Sequence, residues 1–460
     1  MAVPTVQRRT PSSASKLGVW LTRLRVSLSR PLFSVALALV AAGIVILVTS
    51  PGSLSARFTS VISAYQYLFI GSFGNLQNIS YTLVNATALI FAGISVALAF
   101  RAGLFNIGAS GQVAVGTVAA GIIGLTLSSW PGWLLIPLMI IASALAGALW
   151  GSIAGVLKAW RGAHEVVTTI MLNWIAFYVA AYLIDGPFQA PKLSEQTLPL
   201  PPQATLPAVA LFYNQTLGTF LPKITTPTNY AVDVSIFFAL AALVVYWFIT
   251  SRTTFGYELR VVGQNLKAAK YAGIPIKRSI ITTMALAGAF AGLAGALRLM
   301  GQAPYQMIGS SFALDSTGFD AIGVALLGRT TPFGIFLSSL LFGGLQQAGP
   351  TMQLYAHVPG DLIFIVQALV LFSIASEFLP AIGRSLPDWM RLSRRPSLVP
   401  NVIGASATDF PESGSAITPV VTDLPENGNG IAPVVQEDRD NAEGIKKAVN
   451  PATTLSEQED

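Results

Sequence analysis

The feature that most limits what this chain can become is a recurring run of about twenty apolar residues. Such runs lie at 32–48, 79–100, 105–127, 133–157, 165–184, 232–250, 279–300, 333–349 and 360–379. A bilayer core of about 30 Å takes about 20 residues of α-helix to cross. Inside lipid, a helix satisfies every backbone N–H and C=O within its own segment. The pattern therefore predicts an all-α fold, a polytopic membrane helix bundle. One further stretch, 312–328, is less apolar and carries Asp315 and Asp320. Counting it gives about ten transmembrane segments.

Composition agrees. Only 10% of the 460 residues are charged, where a soluble domain carries about 25%. The net charge of +6 conceals a split. Residues 1–395 hold 24 of the 27 Lys and Arg but only 10 of the 21 Asp and Glu, and the rest fall in 396–460. A basic balance can mark a nucleic-acid partner, but these basic residues sit between apolar runs, where they set membrane orientation. The expected partner is a lipid bilayer and not nucleic acid.

With the N-terminus in the cytoplasm and ten alternating crossings, 20 of those 24 basic residues fall inside. They are the six of residues 1–30, Arg101, Lys158, Arg161, six in the 251–278 loop, Arg329, and Arg384, Arg391, Arg394 and Arg395. Dropping 312–328 would put the last four outside, so charge favours that weak stretch as a crossing. Both termini are then cytoplasmic.

The domain reading follows. Residues 1–30 form a basic cytoplasmic segment. The first apolar run is retained as a helix, because no small-residue cleavage site follows it. Residues 31–384 make the membrane domain, with 51–78 and the proline-rich loop 185–230 outside. Residues 396–460 are polar and acidic without any period, which predicts a disordered cytoplasmic tail. Small residues recur four apart: Gly116, Ala120 and Gly124; Gly147, Gly151 and Gly155; Gly288, Gly292 and Ala296. That spacing lets helix backbones approach closely in lipid.

Enzyme chemistry finds no support. The chain has no cysteine and two histidines, so thiolate sites are excluded and a metal centre or cofactor is not expected. No P-loop or zinc-protease motif occurs, so ATP hydrolysis would fall to another subunit. Glu165, Asp233, Arg298, Asp361 and Glu377 lie at or near the ends of the apolar stretches, and only Asp315 and Asp320 fall inside one. That scarcity argues against an ion-coupled secondary transporter of a small polar solute, the alternative reading.

The longest internal loop, 251–278, carries the clearest local signal. Asn265 is placed to cap a short helix through Leu266, Ala268, Ala269 and Tyr271. Gly273 would end it, with Pro275 just beyond. From pattern alone the loop reads equally as a docking knob for a cytosolic partner or as a re-entry loop with snorkelling basic side chains.

Four stretches carry a resemblance: GLFNIGASGQ (103–112), HEVVTTIMLNWIA (164–176), LRVVGQNLKAAKYAGI (259–274) and GFDAIGVALLGRTTPFG (318–334). In this order they resemble the ABC permeases of the branched-chain amino acid, ribose and nucleoside import group, above all nucleoside or simple-sugar permeases. The resemblance implies a non-catalytic, multi-pass subunit of the bacterial inner membrane. Its partners would be a cytoplasmic ABC ATPase, a second permease subunit of a different sequence, and an extracytoplasmic solute-binding lipoprotein that delivers a small-molecule substrate. The stretch with Gly263, Asn265, Ala268, Ala269, Gly273 and Ile274, with Glu258 just before it, resembles the loop that grips the ATPase. Candidates for the translocation path are Asn106, Gln112, Asn173 and Asp320. One departure stands out: Ser110 occupies a position where the group commonly has Glu.

Overall fold

The computed structural model describes residues 16–216 and 223–375. The first fifteen residues, the end of the 360–379 run, the Arg384–Arg395 cluster and the acidic tail 396–460 lie outside the described residues. The order is α1 (Lys16–Thr49), α2 (Leu54–Phe73), α3 (Leu76–Arg101), α4 (Ala109–Thr126), α5 (Gly132–Arg161), α6 (Glu165–Asp185), α7 (Val209–Gln215), α8 (Ser235–Arg252), α9 (Thr254–Gln264), α10 (Leu266–Tyr271), α11 (Ile276–Gly301), α12 (Ser311–Leu314), α13 (Thr317–Leu327), α14 (Pro332–Ala356) and α15 (Leu362–Ala375). Among the described residues, β-pairing is confined to isolated bridges in and around the loop 185–230.

Among the described residues, seven helices have the length and apolarity to cross a membrane: the part of α1 from Pro31, then α3, α4, α5, α6, α8 and α11. The expected ten crossings are not confirmed among the described residues, which stop short of the end of the 360–379 run. The stretch 312–328 is not one crossing but the four-residue α12 and the eleven-residue α13. Eleven residues reach about 16 Å, half of a bilayer core. The break has a local cause: the Asp315 carboxylate accepts from both the N–H and the hydroxyl of Thr317, at 3.0 and 2.6 Å. The aspartate thus starts a new helix instead of continuing the old one. α14 has 25 residues but carries Gln346, Gln347, Pro350 and Gln353 and is not among the seven.

At the centre, α5 and α11 run antiparallel with their backbones nearly touching. A Cβ built on Gly147 would overlap the Gly288 carbonyl and sit 3.0 Å from Gly292 Cα. Gly116 of α4 meets Gly292 in the same way. Lipid supplies no hydrophobic drive between helices, so close packing of small residues carries the association, and the four-residue spacing predicted these contacts. α3 is buried from Ala86 through Ala99. It is apolar on all sides and serves as the core strut.

α2 lies within the stretch expected outside. Its end enters the bundle instead. The Ser72 hydroxyl donates to the Gly344 carbonyl in the middle of α14 at 2.6 Å, and Thr82 of α3 donates to the Ser72 carbonyl at 2.9 Å. The loop 185–230 is stitched to the end of α11 and the segment after it: Thr197 N–H donates to Met307 O at 3.0 Å, Leu200 to Tyr305 at 2.7 Å, and Leu206 to Met300 at 2.8 Å.

Candidate translocation path and coupling surface

A cavity of about 620 Å³ opens between α4, α11, the 302–317 segment, α14 and the start of α15. That volume is within the range of about 300–1,000 Å³ that holds a small organic ligand. Irregular backbone borders it, as membrane-depth backbone does only where it faces protein or a water-filled space. Its wall is amide-rich, with Gln302, Gln306, Gln346 and Gln353, and includes the rings of Phe312 and Phe364. Arg298 is the one cation in the wall, and its Nη1 lies 2.9 Å from Asp315 Oδ2. The same Nη1 donates to Thr317 Oγ1 at 3.2 Å.

Asp320 sits just behind this wall, 9% exposed. Its Oδ2 accepts from Ser316 Oγ at 2.7 Å and from Gln346 Nε2 at 2.8 Å, and both donors belong to cavity-lining residues. The other three path candidates are elsewhere. Asn106, Gln112 and Asn173 are buried and do not line the cavity. They pin the non-helical link 102–108 between α3 and α4. Asn106 Oδ1 accepts from Gly108 N–H at 3.1 Å and from Gln112 Nε2 at 3.2 Å, while Asn106 Nδ2 donates to Ser95 Oγ at 3.2 Å. Asn173 of α6 accepts from Gly111 N–H at 2.8 Å and donates to the Ile107 carbonyl at 3.0 Å. Buried irregular backbone needs such partners. Ser110 faces Gly318 so closely that a Cβ on Gly318 would overlap its hydroxyl, which ties the start of α4 to the start of α13.

The loop 251–278 folds as two helices joined at Asn265. Asn265 Oδ1 accepts from Lys267 and Ala268 N–H at 2.9 and 3.1 Å. At the far end Gly273 is left-handed, with φ +72°, and the Ile274 N–H reaches back to Ala269 O at 3.0 Å. This is a glycine-terminated helix end. Ala269 is buried, Ala268 exposed and Glu258 half-buried. Tyr271, at 93% exposure, and Leu266 project outward.

Gly263 is the joint to the membrane domain. A Cβ there would overlap the Arg101 carbonyl and come within 2.9 Å of Gly103 N. Arg101 in turn donates to the Thr330 carbonyl at 2.8 Å and lies 5.3 Å from the Tyr246 ring centroid. The Tyr246 hydroxyl donates to the same carbonyl at 2.6 Å. The ends of α3, α8 and α13 therefore meet beside the knob.

The sequence reading missed most of the cavity wall. Glutamines scattered over α14 and the segment after α11 carry no motif. A signal did exist for Arg298 and Asp315, since opposite charges flanking apolar runs tend to pair across a buried space. On the knob, the residues singled out are those that shape it, whereas its projecting side chains are Tyr271 and Leu266.

Known proteins resemble this chain over most of its length. The pattern describing the branched-chain amino acid transport system permease component matches residues 78–375. The guanosine ABC transporter permease protein NupP of Bacillus subtilis is 37% identical over 348 residues, covering 76% of this chain and 93% of the relative. The nucleoside ABC transporter permease protein NupB of Lactococcus lactis is 36% identical, covering 69% of this chain and 84% of its own. The glucose ABC transporter permease protein TsgB13 of Haloferax volcanii is 34% identical, covering 69% and 81%. No solved structure matches the chain. The chain belongs to the branched-chain amino acid transport system permease family, and is a multi-pass membrane protein of that kind.

Proposed function

We propose that this permease subunit of an ABC importer passes a neutral polar solute, a nucleoside ahead of a simple sugar, through the cavity beside Arg298 and Asp315. The observation that carries the reading is the charge state of the wall. Its single cation is held by a carboxylate, so no free positive group awaits the carboxylate of an amino acid or the phosphate of a nucleotide. What remains is a set of amides and hydroxyls, two aromatic rings and the carboxylate of Asp361, a lining that disfavours an anionic solute and suits a base and a sugar. The names of the nucleoside and glucose permeases that resemble this chain point the same way. Family membership favours this over ion-coupled secondary transport.

The partners follow from the same reading: a cytoplasmic ABC ATPase, a second permease of different sequence, and an extracytoplasmic binding lipoprotein. ATP binding would close the ATPase around the knob at 254–274. Motion of the knob would reach α3 through Gly263 and the α13–α14 turn through Arg101 and Thr330. Tight glycine faces let α4, α5 and α11 move as one body. Asn106, Gln112 and Asn173 would hold the start of α4 during that motion rather than touch the solute.

The test is uptake of labelled guanosine, glucose and leucine into vesicles holding the permease pair and the binding lipoprotein, with and without the ATPase. Guanosine uptake that requires the ATPase supports the reading. Undiminished uptake without it, or leucine as the preferred solute, overturns it.

A further inference from the structure

We infer that Asp320 is a positioning residue that turns two cavity side chains into hydrogen-bond acceptors, and that the cavity therefore selects solutes carrying a pair of neighbouring donors. The inference rests on the substrate reading above and deepens it.

The argument starts from one oxygen atom. Asp320 Oδ2 receives both the Ser316 hydroxyl and the Gln346 amide N–H. Two donors on one carboxylate oxygen commit both side chains. A hydroxyl has a single proton, so Ser316 offers only lone pairs to any further partner. The Gln346 amide is planar, so fixing Nε2 on the carboxylate also fixes where Oε1 lies. That oxygen has no hydrogen-bond partner among the described residues, and Gln346 and Ser316 are both partly exposed in the cavity wall. Without Asp320, Gln346 could present either its oxygen or its amino group, and Ser316 could donate.

Asp320 has no salt bridge among the described residues. The ion pairs among the described residues are Lys158–Glu165 and Arg298–Asp315. A buried carboxylate without a cation depends on its donors, which ties its presence to these two side chains. Asp315 in the same wall has one oxygen on Arg298 and the other on Thr317, so it is already engaged.

Two acceptors held by a common oxygen fit two neighbouring donors on a solute. Vicinal hydroxyls of a sugar ring have this form, and so does an N–H beside an exocyclic amino group on a purine edge. The shared chemistry is a donor pair. Sites built to accept from a hydroxyl or amine reject the analogue that lacks it, because the acceptor is left unpaired.

The test compares uptake efficiencies of guanosine, 2′-deoxyguanosine and inosine by the complete transporter. The last two each lack one donor, on the sugar and on the base respectively. For whichever donor the site reads, Asp320→Leu and Ser316→Ala are expected to narrow the wild-type preference for guanosine by about three- to tenfold, the factor that one hydrogen bond contributes. Asp320→Asn keeps an acceptor oxygen in place and is expected to hold the preference within about twofold. All variants share one binding lipoprotein, so a changed ratio reports on the permease.

Unchanged ratios in Asp320→Leu and Ser316→Ala would overturn the inference. So would an Asp320→Asn that falls as far as Asp320→Leu, since charge and not orientation would then be the cause. If Asp320→Leu does not fold, Ser316→Ala decides alone. A wild-type transporter that moves neither nucleoside nor sugar overturns the substrate reading itself, an outcome visible before any variant is made.

Discussion

Alanine at Gly147 or Gly288 should loosen the centre of the molecule by a predictable amount. A Cβ on Gly147 would lie 3.0 Å from Gly292 Cα and overlap the Gly288 carbonyl. Carbon atoms prefer about 3.5–4.0 Å, so α5 and α11 must separate by about 0.5–1 Å. A gap of that size forfeits about a quarter to a half of the dispersion attraction between facing atoms. Overpacking of this kind costs about 1–3 kcal/mol, and lipid offers no hydrophobic compensation. Gly309 is the control, because the nearest atom to a Cβ there is 3.5 Å away, and Gly309→Ala should cost less than about 0.5 kcal/mol. The assay is the fraction of monodisperse protein left in detergent after stepwise heating, read by size exclusion. The expected order is wild type and Gly309→Ala together, with Gly147→Ala and Gly288→Ala well below. Equal midpoints for all four would refute the claim that bare backbone contact holds these helices.

Other perturbations test other joints. Tyr246→Phe removes the 2.6 Å hydrogen bond to Thr330 O but leaves Arg101 on that carbonyl, so a loss of about 0.5–1.5 kcal/mol in melting stability is expected; no loss would mean the hydroxyl is idle. Asn265→Ala deletes the cap of α10, worth about 1 kcal/mol locally. ATP-driven uptake should drop while the global melting midpoint holds, and unchanged uptake would count against a rigid knob. Arg298 and Asp315 are 44% and 24% exposed, so a double-mutant cycle on melting should give a coupling of only about 0.2–1 kcal/mol, shrinking with salt; a coupling that salt leaves intact would contradict that placement. Asp233, buried in the segment before α8, has its carboxyl pushed above the usual range by desolvation, against the opposing pull of its hydrogen bonds to Ser235. A raised acid stabilises the fold when protonated, and that contribution is lost as pH rises through the folded-state value. Asp233→Asn should therefore raise the melting midpoint at neutral pH and lose its advantage in acid, which a melting series over pH would show.

Much of this molecule was legible without coordinates because its rules are local. Apolar length implies helices across a bilayer, wherever those helices end up. Glycines four apart imply a bare helix face, and the α5–α11 contact used that face. Asn265 and Gly273 mark a capped helix through their own backbone preferences, and α10 begins and ends there. Each inference needs only neighbours within a turn or two of chain.

The rest depended on which distant segments meet. Asn106, Gln112 and Asn173 look like path residues in sequence, since polar groups among apolar ones are costly. Only their packing reveals that they serve the broken backbone at 102–108. The stretch 312–328 has enough residues to cross, and its division into two short helices turns on a side chain that prefers to cap. The cavity joins Arg298, Ser316 and Gln346 from separate parts of the chain, and no spacing rule links them. Helix formation is decided by a residue and its near neighbours; a cavity is decided by what those helices leave unfilled, and that exists only once all of them are packed.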